Sequence, residues 1–347
     1  MPIIRDYQQV KEIYAHAAEK SISLPAFCLE DRVTLEAILA ATLEISQEIG
    51  VKALPVIVSW TARYHLYAQA EKVSKTGNAR LGCHLLFSDL EIFMGEESPY
   101  RHLLVMPNLD HGVPWVDGDI MFDFHKKFAS IMCDASEKSL DENIEETAKF
   151  VDQVKGKVVV EGAVDEISSP EKGLLQKKTS VEDTRKFIQK TGVDIIVPNV
   201  GTEHRASVSA AHYDSELTRK ITDAVGKIVC LHGSSSLKPE DLPKVPQDGV
   251  VKVNIYTGLA RAAGRAVVQQ ELENLGNVFN EEEIKSMIAG GVLGKKVLEQ
   301  EYGNLLFPLG PKLDYLTNTK RTDAWVNVFK ARCKDYMYAF NYRHFAD

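Results

Sequence analysis

The chain has 347 residues, 44% hydrophobic and 26% charged, which is ordinary for a soluble globular protein and enough for one large barrel or two smaller domains. A formal net charge of -8 argues against non-specific nucleic-acid binding, which needs a basic footprint. Cys28, Cys83, Cys133, Cys230 and Cys333 are scattered without a Cys-x-x-Cys pair, so a disulfide framework or structural zinc knuckle is not expected and a reducing cytoplasm fits. The amino terminus carries no apolar signal region, and no run is long and apolar enough to span a bilayer.

Apolar positions at helical spacing predict a first helix from Tyr7 to Ala18. Ser23 to Leu29 reads as a strand, Leu35 to Ile45 as a helix, and Ala53 to Ser59 as a second strand with Pro55 near its start. Tyr64 to Ser98 is mostly helical and polar, with a break at Thr76-Gly77-Asn78. Strands follow at Leu103–Asp110, Ala129–Asp134 and Lys157–Glu161, with an amphipathic helix over Leu140 to Val154. Asp165 to Ser180 reads as an exposed loop. A helix over Val181 to Lys190 stops at Gly192, and strands at Asp194–Val200, Ile228–Leu231 and Val250–Ile255 enclose a helix from Leu217 to Val225. Eight apolar β runs, most followed by a helix, count out an α/β fold, a (β/α)8 TIM barrel. The expected division is a barrel over residues 1–260 and a helical extension over 261–347, packed on the barrel as part of the same domain.

Barrels bind substrate at the carboxyl ends of their strands. Those ends hold Asp110 and His111, Asp134, Glu161, Gly201 to Arg205, His232 to Ser236, and Asn254 to Thr257. Three neutral imidazoles with an open fourth position make a catalytic metal site, and His111, His204 and His232 each end a different strand. Singly, each histidine is more simply a satisfied polar residue. Gly233-Ser234-Ser235-Ser236 is either a plain turn or a phosphate cradle of backbone amides. Asp134 and Glu161 are readily explained as partners for barrel-mouth amides. Asp110 and His111 are strand neighbours and should point to opposite sides, which favours an acid/base role for Asp110 independent of the metal.

The strings Leu109-Asp110-His111-Gly112, Ser130 to Ser136, Gly201-Thr202-Glu203-His204, Leu231 to Ser235 and Lys252 to Thr257 fall in order and in register. With Ala26-Phe27 and Thr34 to Leu39, they resemble the class II, metal-dependent fructose-bisphosphate and tagatose-bisphosphate aldolase family over about residues 1 to 260. The resemblance implies a divalent metal, usually zinc, on His111, His204 and His232, and it admits a monovalent cation. It implies Asp110 as the catalytic acid/base and Asn254 as the residue that steadies the enediolate. Phosphate would lie on Gly201, Gly233, Ser234, Ser235 and Thr257, with Ser59 near a second phosphate. The family's arginine from a neighbouring subunit would correspond to Arg321, so a homo-oligomer, dimer or tetramer, is expected.

The chain also departs from that pattern. Ala163 stands where the family has a second glutamate, and Asp165 to Glu171 replaces a Gly-Gly-acidic loop, which leaves Glu166 or Glu171 to supply the missing proton carrier. Arg205 replaces a glycine, Tyr256 an acidic or asparagine side chain, and Cys28 and Glu30 replace asparagines. Arg205 is expected to contact the anionic end of a substrate that differs from fructose 1,6-bisphosphate. The reading is a cytoplasmic aldolase acting on a sugar phosphate, with no nucleic-acid or membrane partner. The rivals are a metal-dependent isomerase or epimerase and a non-catalytic sugar-phosphate-binding barrel.

Overall fold

Runs of Val, Ile and Leu that are apolar on both faces are stable only where both faces are covered. The computed structural model, which describes residues 3–166, 177–204, 212–298 and 312–347, buries them in that way. The strands are β1 (Leu24–Cys28), β2 (Pro55–Thr61), β3 (Leu104–Gly112), β4 (Ser130–Cys133), β5 (Val159–Ala163), β6 (Ile195–Val197), β7 (Val229–Leu231) and β8 (Val250–Ile255). All their residues except Leu104 are buried. They pair in parallel in sequence order, and β8 closes on β1, giving the (β/α)8 barrel.

Helix ends carry the expected local chemistry. Asp31 accepts from the Thr34 amide at the start of Arg32–Ile49, and Ser139 and Glu142 form a capping box at the start of Leu140–Val154. Gly192, at φ 68°, ends Val181–Thr191 in the left-handed region. Several stretches differ from the sequence expectation, among them β6, which ends at Val197 rather than Val200. β2 runs past Ser59 to Thr61, and β3 runs past Asp110 to Gly112. Between β3 and β4 lies a helix, Pro114–Asp123, started by Pro at its first position. The Tyr64 to Ser98 region holds the helices Gln69–Lys72 and Ala79–Phe93, divided at Gly77, with Asn78 capping the second.

The chain divides into two compact units, Met1–Gly258 with Arg332–Asp347, and Leu259–Ala331. The carboxyl-terminal residues thus return to the barrel rather than staying with the extension. Tyr342 is fully buried and donates to the Pro55 carbonyl at 2.9 Å, and the Ser23 amide donates to the Phe340 carbonyl. Asn341 Nδ2 donates to the Ser21 carbonyl at 3.0 Å. The second unit is helical, with an Arg321–Glu271 ion pair at 2.9 Å and Trp325 stacked on Phe329. Among the described residues, no helix is long and apolar enough to cross a membrane.

Candidate active site

The barrel interior is filled by side chains that point inward from alternate strand positions. One such layer is polar and closed. Lys252 and Glu161 are fully buried and paired at 2.7 Å. Asn108 Nδ2 donates to Glu161 at 2.9 Å and to Ser130 Oγ at 2.8 Å, while its Oδ1 accepts from Ser59 Oγ at 2.5 Å. Glu161 therefore neutralises a buried cation rather than serving a mouth amide.

At the mouth, His111, His204 and His232 converge so that one nitrogen from each lies within 4.8 Å of the others. β3 reaches the group through an irregularity. His111 has φ 47°, an uncommon conformation for a residue with a Cβ, and the β3–β4 register shifts between Leu109 and Gly112. The strand alternation is broken there, so Asp110 and His111 line the same cavity instead of opposite sides. His111 Nδ1 is held by Asp134 at 2.6 Å, and Tyr64 stacks flat on its ring, with centroids 4.1 Å apart and planes 5° apart.

The donor set suits a divalent cation. Nε2 of His204 and both ring nitrogens of His232 are buried without a hydrogen-bond partner, a cost that ligation of an ion would remove. Burial, reinforced by His111, pushes His204 down to about 3, and burial holds His232 well below the usual imidazole range. Both are therefore neutral, the form that ligates metal. Burial also opposes protonation of His111, but Asp110 and Asp134 outweigh it and the net shift is upward. Burial alone would raise the Asp134 carboxyl, yet His111 and Ser136 bring it to about 2.

Asp110 sits between the histidines, its Oδ1 3.9 Å from Nε2 of both His111 and His232. Asn254 Nδ2 donates to that same Oδ1 at 2.8 Å, and Cys28 faces Oδ2 at 3.6 Å. The cavity continues along Gly233, Ser234, Ser235 and Thr257. Gly233 has φ 70°, and a Cβ there would lie 2.7 Å from the Glu203 amide nitrogen. Ser234 Oγ donates to the Asn254 carbonyl at 2.7 Å, which ties the turn after β7 to β8, and Thr257 opens the helix Thr257–Glu273. A glycine turn and a helix start are the backbone settings in which anions are commonly held.

Two residues expected at the substrate lie elsewhere. Ser59 is fully buried, and its hydroxyl is committed to Asn108, because β2 continues to Thr61, which is the residue that reaches the cavity. Gly201 lies outside the cavity, its amide donating to Asn199 Oδ1, and a Cβ there would meet the His212 carbonyl at 2.5 Å. Glu166 borders a second cavity beside Asp165, His111, Asp134 and His204, with its carbonyl accepting from Asn199. Arg205 and Glu171 lie outside the described residues. Tyr64 was not singled out beforehand, because it sits in an irregular segment without periodicity.

The family model for class-II fructose-bisphosphate aldolase matches residues 8–305. A curated relative, the uncharacterized protein YdjI of Escherichia coli strain K12, is 27% identical over 194 residues, which is 52% of this chain and 70% of YdjI. The crystal structure of the YdjI aldolase from E. coli K12 superposes with a TM-score of 0.62 at 19% identity, covering 97% of this chain and 98% of that one. Fructose-bisphosphate aldolase from Campylobacter jejuni superposes with a TM-score of 0.69 at 19% identity, covering 98% of this chain and 95% of the other. At such identities the two superpositions establish a shared fold.

Proposed function

The chain belongs to the class-II fructose-bisphosphate aldolase family and is a metal-dependent aldolase, and from that premise we propose that it cleaves and forms a carbon–carbon bond in a ketose phosphate or related keto-sugar. The observation that carries the site assignment is the meeting of three histidines, with orphaned buried nitrogens, at an aspartate fixed by Asn254. His111, His204 and His232 would hold the divalent ion, most simply zinc. Bound there, the ion supplies positive charge for the oxygen that becomes anionic as the bond breaks.

The chain's own groups do the rest. Asp110 Oδ2 is directed to take the proton from the hydroxyl beside the cleaved bond, and to return it in the synthetic direction. Asn254 fixes Oδ1, so the carboxylate is oriented before substrate arrives. The Gly233–Ser235 turn and the start of the Thr257 helix hold the phosphate. Glu166, beside His111 and His204, is the candidate that exchanges a proton at the nucleophilic carbon. A cytoplasmic homo-oligomer fits this reading.

The test is release of dihydroxyacetone phosphate from a panel of ketose phosphates, with and without chelator. Metal-dependent release supports the reading. Interconversion of the ketoses without release would mark an isomerase or epimerase, and binding without turnover would mark a non-catalytic barrel.

A further inference from the structure

The φ of 47° at His111 and the register shift beside it release its side chain from the strand alternation, so the aim of its ring depends on the groups that touch it. Asp134 holds Nδ1 at 2.6 Å. One hydrogen bond fixes a ring at one atom and leaves it able to tilt about that atom. Tyr64 restricts the tilt. Its ring lies against the imidazole face, with centroids 4.1 Å apart and planes 5° apart. Tilting His111 toward Tyr64 would drive it into the phenol, and tilting it away would open the contact. Tyr64 lines both cavities, as do His111 and His204, so it stands at the histidine cluster itself.

The phenol is carried on a braced segment. The Thr61 amide and hydroxyl both donate to Gln69 Oε1 at 2.7 Å, and the Gln69 amide donates back to Thr61 Oγ1 at 3.1 Å, which closes the loop after β2 at its base. Next to Tyr64, the Arg63 guanidinium forms a two-pronged pair with Asp119 at 2.7 and 3.0 Å and donates to the Val116 carbonyl at 3.1 Å. Such forks fix orientation as well as distance. Arg63 also lies 3.5 Å from one oxygen of the buried Asp117, whose other oxygen accepts from the Val113 amide at 3.1 Å, two residues after His111. The helix Pro114–Asp123 is thus the common anchor of the chain that aims His111 and of the chain that carries Tyr64.

Resting on the assignment of the divalent ion to His111, His204 and His232, we propose that Tyr64 is a positioning residue of the metal centre. Its ring face, mounted through Arg63 on the helix Pro114–Asp123, holds the His111 imidazole at the tilt that brings Nε2 to the ion. Metal ligands need such support from packed neighbours on rigid elements, and the neighbour here acts through a flat face rather than a hydrogen bond.

The test reads the ion directly and needs no substrate. Cobalt(II) is added to metal-free, full-length wild type, Tyr64→Phe, Tyr64→Leu and His232→Ala. Competition with a chelator gives the affinity, and the visible absorption reports the ligand geometry. Tyr64→Leu fills the space without a flat face. It should bind cobalt about tenfold more weakly, the lower end of the loss when a group that orients a metal ligand is removed, and with an altered spectrum. Tyr64→Phe keeps the ring and should match wild type in both. Tyr64 is half-buried, so its replacement leaves the barrel core intact, and the melting temperature of each metal-free protein checks this. A tyrosine that only packs would change that temperature and leave affinity and spectrum alone. Wild-type affinity and spectrum in Tyr64→Leu, or a Phe variant as impaired as the Leu variant, overturns the proposal. Cobalt that binds His232→Ala as it binds wild type removes the metal assignment and this proposal with it. Loss of cobalt from His232→Ala with no effect of Tyr64→Leu overturns the proposal alone.

Discussion

Asp134 Oδ2 lies 2.6 Å from Nδ1 of His111, so the Nδ1 proton is committed to the carboxylate and Nε2 is left to ligate an ion. Carboxylates behind a ligating imidazole fix its tautomer and orientation, and their loss commonly weakens metal affinity about 10- to 100-fold. Asp134→Ala should weaken the metal by that order while the barrel stays folded. Competition against a chelator of known affinity measures it, and unchanged affinity would remove Asp134 from the site.

The orphaned nitrogens of His204 and His232 make metal binding and stability one question. An ion that binds only the folded state raises its melting temperature by mass action. Adding zinc to metal-free wild type should raise Tm, and the same addition should do little to His232→Ala. Cleavage should vanish with chelator and return on adding a divalent ion back. An equal thermal response in the variant would place the ion elsewhere.

Asp110→Asn keeps the shape and a hydrogen bond to Asn254 but cannot accept a proton. Cleavage should fall by about 10²–10⁴, the range for a lost general acid or base, with bound metal retained. Turnover near wild type would move the role to another group, with Glu166 the first to examine.

Lys252 and Glu161 share a dry environment, each at 0% exposure. Removing one partner strands the other charge, which typically costs about 3–5 kcal/mol. Lys252→Met should therefore lose stability of that order in urea titration, and Lys252→Met combined with Glu161→Gln should recover much of it. Additive losses in the double variant would show that the pair is not energetically coupled.

The strands were legible because each is an apolar run that the barrel buries on both faces, and the three histidines were legible because they follow such runs. The helix Pro114–Asp123 was not. It carries Gly118 and three aspartates, and it is held by its place between β3 and β4 rather than by apolar periodicity. Ser59 lies below the cavity because β2 continues through the buried Trp60 to Thr61, two residues beyond the apolar run that marked its end in the sequence. The shared orientation of Asp110 and His111 depends on one left-handed residue, and a histidine at that position gives no hint of such a conformation. Asp134 and Glu161 looked alike as strand-end carboxylates, yet one holds the His111 imidazole and the other a buried lysine, a difference set by neighbours from other strands.

The return of residues 332–347 to the barrel has a consequence for the order of events during synthesis. Tyr342 caps the Pro55 carbonyl at the start of β2, and the Phe340 carbonyl receives the Ser23 amide just ahead of β1. Strands made early thus wait for partners made only after the whole of Leu259–Ala331 has emerged. The nascent barrel would leave the ribosome exit with its β1–β2 floor unsealed, a stage at which apolar edges are open to chaperones and to one another.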